Sequence, residues 1–232
     1  TIAFSADLSG TNGIEKRYTL YDGDDKLYIE NHVDKKAVRN KESVHFAFPF
    51  DVPNQQTRID AGYGVINHLK DQLPGSNFDF LYAKRWFDLS NSQNGISLLL
   101  LEDPMVEGGE MVDESKMVGS LKYWKEKGET ASVWFGYAMN NYWHTNYKAD
   151  QSGKTIFSFA IKPHGKFDLA KTEKSADEFT QPIWAIPVKD FQPKRLFKLS
   201  NPKIVITSII PTANGYQIRL YNPENRVDST FI

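Results

Sequence analysis

At 232 residues the chain is long enough for one large domain with a sizeable core, or for a domain and part of another. Its 28 basic and 29 acidic residues leave a formal net charge of -1, which offers no counter-charge to a nucleic-acid backbone or an anionic membrane. With 0 Cys there is no disulfide framework, thiolate nucleophile or cysteine zinc site. No stretch approaches the roughly 20 apolar residues of a bilayer span, and the start carries neither a basic nor an apolar leader. The chain therefore reads as soluble, with periplasm and cytoplasm both compatible, and with nucleic acid and membrane excluded as partners. Thr1 in place of an initiator Met, followed at once by strand-like sequence, is read as an excised piece of a longer polypeptide.

In chain order, residues 17–21 and 26–31 are short, Tyr-containing runs on either side of Asp22, Gly23, Asp24 and Asp25, a cluster that favours a tight hairpin turn. Val44, Phe46, Phe48 and Phe50 alternate with His45, Ala47 and Pro49, the period-2 pattern of a strand with one buried face. Pro49 cannot donate to a ladder, so it is expected at an edge or a strand end. Residues 96–101 form a nearly continuous apolar run between Asn94-Gly95 and Glu102-Asp103-Pro104, as in a centrally buried strand. Val133, Phe135, Tyr137 and Met139 alternate with Trp134, Gly136 and Ala138, and residues 156–161, 204–210 and 216–221 continue the series.

Only residues 167–179 offer an amphipathic helix, with Leu169, Ala170, Ala176 and Phe179 near one face. Residues 51–80 and 102–130 are expected as long connections, of the kind that dock or line a site. The predicted class is all-β: a large β-sandwich over 1–190, a Pro-containing linker over 191–203, and a hairpin over 204–232. Some 30 residues cannot hold a core alone, so that hairpin either completes the sandwich or begins a truncated β domain.

Four patches stand out: Lys41-Glu42-Ser43-Val44-His45-Phe46-Ala47-Phe48-Pro49-Phe50; Arg85-Trp86-Phe87-Asp88-Leu89-Ser90 with Asn94-Gly95-Ile96; Asn140-Asn141-Tyr142-Trp143-His144-Thr145-Asn146-Tyr147; and Gln217-Ile218-Arg219-Leu220-Tyr221-Asn222-Pro223. In this order they resemble the C-terminal β region of glycoside hydrolase family 38, the α-mannosidases, over nearly the whole chain. The resemblance implies a supersandwich of the galactose mutarotase-like kind that follows an N-terminal catalytic domain of the same polypeptide. It implies retaining hydrolysis of α-mannosides by that domain, whose zinc is held by His and Asp residues missing from this chain. The β region would pack against the catalytic domain and close part of its cleft, without activity of its own.

The residues themselves agree on inactivity. A retaining glycosidase needs two carboxyl groups about 5 Å apart. Asp79, Asp88, Glu102, Asp103 and Glu107 all lie near turns, where a solvated or turn-capping acid is the ordinary role. His32, His45, His68, His144 and His164 are scattered without a short paired motif, so no metal site is expected from them.

Candidate substrate or domain-interface residues are Asn140, Asn141, Trp143, His144, Asn146 and Tyr147, because Asn amides bind sugar hydroxyls and aromatic faces cover the C–H side of a pyranose. Packing for Trp143 and backbone capping for the Asn residues are the plainer roles. Arg85 and Arg219 are further candidates, as carboxylate partner and cleft-facing arginine, against the ordinary solvated role of strand arginines. Two other readings stay open: a free-standing carbohydrate-binding module on Trp143 and Tyr147, or a mutarotase-like enzyme using His144 or His45 with Glu107.

Overall fold

The computed structural model of the chain describes residues 1–62, 64–111, 128, 130–141, 148–181, 187, 189–190, 197–224 and 226–232. The chain divides into two units, Thr1–Phe167 and Asp168–Ile232. Residues 191–196, expected to open a linker, lie outside the described residues.

The first unit is built from β1 (Ile2–Ala6), β2 (Thr11–Leu20), β3 (Leu27–Lys35), β4 (Ser43–Pro49), β5 (Gln56–Asp60), β6 (Val65–Asn67), β7 (Leu81–Tyr82), β8 (Trp86–Ser90), β9 (Gly95–Leu100), β10 (Met105–Gly108), β11 (Val133–Asn140) and β12 (Gly153–His164). Eight of these form one antiparallel sheet in the order β1-β2-β3-β12-β9-β8-β5-β6, and four form a second in the order β4-β11-β10-β7. The all-β sandwich expected from the sequence is present.

The first hairpin forms where the turn chemistry placed it. Gly23 takes φ 75, a left-handed value glycine adopts at no steric cost. Asp24 pins the far side, accepting from the Lys26 amide at 3.1 Å and from the Tyr28 hydroxyl at 2.7 Å. Pro49 is the last residue of β4, and β4 is an edge strand, so the missing N–H costs no ladder bond.

The core follows from alternation on facing strands. Phe46 and Phe48 point inward from β4 and meet Phe159 of β12, with ring centroids 5.7 and 4.9 Å apart. Trp134 of β11 packs on Phe87 of β8 at 5.2 Å, and its indole N–H donates to the Ala131 carbonyl at 3.1 Å. β9 lies between β12 and β8 with Leu98, Leu99 and Leu100 all buried, which is why its sequence reads as continuous rather than alternating.

Two expectations need correction. Residues 51–80 are not a bare connection, since β5 and β6 lie within them, and 102–130 contains β10. Gln56, Thr57, Arg58, Ile59 and Asp60 carry one aliphatic side chain between polar ones, too weak an alternation to announce a strand.

In the second unit, α1 (Leu169–Thr180) is the helix expected at 167–179. Asp168 caps it by accepting from the Lys171 amide at 3.1 Å. β13 (Val205–Thr212) and β14 (Gly215–Tyr221) make a separate two-stranded sheet. Among the described residues no helix is long and apolar enough to cross a membrane.

Candidate functional site

Register across β5, β8 and β9 assembles a charged cluster on the sheet face that points away from the sandwich core. Arg58 pairs with Asp88, and Asp88 with Ser97, so three polar side chains from segments distant in sequence share one row. Asp88 is fully buried. Its Oδ2 accepts from the Ser97 hydroxyl at 2.7 Å and faces His164 Nε2 at 2.6 Å, while Oδ1 accepts from Ser90 and lies 3.5 Å from the Arg58 guanidinium. Arg58 donates further to Ser90 Oγ at 2.8 Å and Gln56 Oε1 at 2.7 Å, with its guanidinium 4.4 Å from the Phe167 ring centroid.

His164 Nδ1 faces the Gly165 carbonyl at 2.8 Å, so both ring nitrogens meet acceptors and the imidazolium form satisfies both. Its hydrogen bond to Asp88 raises its pKa from the ordinary 6.5, against the opposing effect of burial. Both contacts engage the ring nitrogens and favour the protonated form.

The ring reaches Asp88 only because its cross-strand partner is Gly95. A Cβ there would stand 2.7 Å from His164 Cε1 and 2.8 Å from the Leu89 carbonyl oxygen. Gly95→Ala is expected to destabilise by about 1–3 kcal/mol, as overpacking does, and to shift the His164 imidazole NMR signals. Unchanged signals would mean that the glycine does not seat the ring.

The second sheet holds two more buried acids. Glu107, 1% exposed on β10, lies 3.4 Å from His45 Nε2. His45 is stacked on Tyr137, with centroids 4.5 Å apart and planes 4° from parallel. Register places these side chains on the outer face of β4, β10 and β11, opposite Phe46, Val106 and Gly136. Asp103 instead reaches the inner face, where a Cβ on Gly136 would be 2.5 Å from its Oδ2 and 3.2 Å from Phe159. The two acids occupy opposite faces and cannot converge on one glycosidic bond.

Asp79, Asp88, Asp103 and Glu107 are buried rather than solvated, while Asp103 keeps the turn-capping alternative through the Met105 amide. Only Glu102 fits the surface role, accepting from the Ser158 amide at 2.7 Å while exposed.

Burial pushes the Asp103 carboxyl from 3.8 up to about 7, partly offset by the Met105 amide and the His45 charge. Between these values the folded chain keeps a proton that the unfolded chain releases, so stability falls as pH rises through the window. His164 acts in the same direction: its contribution is complete below 6.5 and is lost as pH rises through its higher folded value. Urea unfolding is expected to give a stability lower at pH 8 than at pH 5 by on the order of 3 kcal/mol, a difference that shrinks in Asp103→Asn. An identical pH slope in that variant would contradict the assignment.

Of the residues singled out by sequence, Asn140 ends β11 at the surface. Asn141 is buried, and its amide is committed to backbone: Oδ1 accepts from the Glu42 N–H at 2.7 Å and Nδ2 donates to the Val38 carbonyl at 2.6 Å. Trp143, His144, Asn146 and Tyr147 lie outside the described residues. Arg85 Nε donates to the buried Asp60 carboxylate at 2.7 Å, so the carboxylate it holds belongs to this chain. Arg219 is exposed on β14. Sequence reading missed Arg58, Asp88 and His164 as a group, because only strand pairing brings them together.

Among the described residues no group of three or more His, Cys, Asp or Glu side chains is placed to hold a metal ion. The described residues offer no ligand set for the zinc expected in the catalytic domain.

Residues 2–104 match the sequence model of the glycosyl hydrolases family 38 C-terminal domain. Over this stretch the chain is similar to that family. The family 38 segment runs from β1 through β9 and includes the first two of the four motif patches. The other two patches lie beyond it.

Two solved structures from Enterococcus faecalis resemble the chain in fold. One is a protein in glycosyl hydrolase family 38, 13% identical, with TM-score 0.67 over 94% of this chain and 25% of that one. The other is an alpha-mannosidase, also 13% identical, with TM-score 0.65 over 91% of this chain and 23% of that one. The chain thus spans about a quarter of the length of either. No curated protein matches it.

Proposed function

We propose that this chain is the C-terminal β domain of an α-mannosidase-type retaining glycoside hydrolase. It braces the substrate cleft of a preceding catalytic domain in the same polypeptide and does not hydrolyse α-mannosides alone. The observation that carries this reading is the family 38 match over residues 2–104, joined to a fold likeness in which the chain equals 25% of a family 38 protein. The placement of the acids supports it: Asp103 and Glu107 lie on opposite faces, and Asp88 is spent on Ser97, Ser90, His164 and Arg58.

The mutarotase-like alternative finds no support in His45 and Glu107, whose side chains are only 13% and 1% exposed and whose imidazole is covered by Tyr137. Zinc and the nucleophile belong to the preceding domain in this reading. The test is an assay of a polypeptide extended upstream through that domain with an aryl α-mannoside, before and after chelation. Hydrolysis that chelation abolishes is the expected result. Hydrolysis that survives complete metal removal, or an upstream region with no catalytic domain, would count against the proposal.

A further inference from the structure

The Asp88 cluster is unbalanced. Arg58 is a cation and His164 becomes one when protonated, with side chains only 19% and 15% exposed, and among the described residues Asp88 is the one carboxylate facing either of them. Partly buried charge without a counter-ion is costly, and an arrangement with one positive charge in excess favours an arriving anion.

Beside this cluster opens a cavity of about 610 Å³, within the size range of small-ligand sites. Its lining includes no acidic residue. Arg58 and Ser90 contribute to it from the cluster, and Lys166 adds a third cation. The Lys166 ammonium has no ion pair among the described residues. The rest of the lining is rich in amides and hydroxyls, and the side chains of Asn54, Ser92 and Gln93 are exposed with no hydrogen bond among the described residues. Such groups suit the alternating donors and acceptors of a polyhydroxyl molecule.

We propose that this cavity binds a small sugar bearing an oxyanion, a phosphate or a carboxylate. Lys166 contacts the anion, the Arg58–Asp88–His164 cluster supplies the net positive field beneath it, and Asn54, Ser92 and Gln93 take the hydroxyls. The site belongs entirely to the first unit and stands independently of the α-mannosidase reading.

The test is amide NMR of the 232-residue chain titrated separately with glucose 6-phosphate, glucuronate, inorganic phosphate and glucose. Saturable shifts confined to residues near Ser90–Gln93 and Lys166 are expected with one or both sugar anions, at lower concentration than with phosphate or glucose. The two sugar anions tell phosphate from carboxylate recognition. Lys166→Gln, a surface change that leaves the buried cluster intact, should weaken the binding about fivefold or more, and Gln93→Ala should weaken the sugar anion but not phosphate. Three results would overturn the proposal: shifts absent or spread over unrelated lysines, glucose or phosphate binding as tightly as the sugar anions, or unchanged binding in Lys166→Gln.

Discussion

Replacing Asp88 with alanine should lower the free energy of unfolding by about 3–5 kcal/mol, the scale on which buried ion pairs fail when one partner is removed. The carboxylate accepts from Ser97 at 2.7 Å, faces His164 at 2.6 Å and lies 3.5 Å from Arg58, all on a residue with no exposed surface. Its removal leaves the partly buried Arg58 guanidinium without its carboxylate and takes from His164 the partner that favours its protonated form. Asp88→Asn keeps the shape and one acceptor, so its loss should be smaller. Urea unfolding at pH 7 measures both. A loss below about 1 kcal/mol for the alanine variant would mean that solvent reaches Arg58 and His164 freely.

Phe159→Ala should cost a similar amount, about 3–5 kcal/mol, for a different reason. The ring is fully buried between the two sheets against Phe46 and Phe48, and Gly136 leaves the space its edge occupies. Truncation leaves a cavity on both sides of the sandwich that strand pairing prevents from collapsing. The matched control is Ile156→Ala on the same strand, where the side chain is 44% exposed and the expected change is about 0.5 kcal/mol or less. Equal losses at the two positions would remove the central role given to the inward face of β12.

These two sites mark what was legible in the sequence. The Phe46 and Phe48 stripe, the unbroken run in β9 and the Asp24 turn each carry a local signature, because period and turn chemistry are properties of neighbouring residues. The Asp88 cluster has no such signature. Arg58, Asp88 and His164 come from strands far apart in sequence, and only the β5-β8-β9-β12 register aligns them. Asp88 and Ser90 alternate as on a solvated face, yet both are fully buried. Asp103 lies between β9 and β10 and Glu107 within the four-residue β10, where turn chemistry is the stronger local signal. The strands β1, β5, β6, β7 and β10 are too short or too polar for their alternation to rise above background.

The Asn140–Asn141 patch teaches a related point. A double Asn beside aromatic residues invites a sugar-binding interpretation, yet Asn141 holds the start of β4 to the end of β11 through Glu42 and Val38. Backbone groups at strand ends need partners first, and a short amide side chain is well suited to supply them.

The central claim is that reactive groups reach an α-mannoside from a domain other than this one. The most direct measurement is the rate of aryl α-mannoside hydrolysis by the 232-residue chain alone at high protein concentration, with and without added zinc. No release of the aryl alcohol above the buffer rate is predicted in either case. Metal-dependent or metal-independent turnover that copurifies with the folded chain would contradict it.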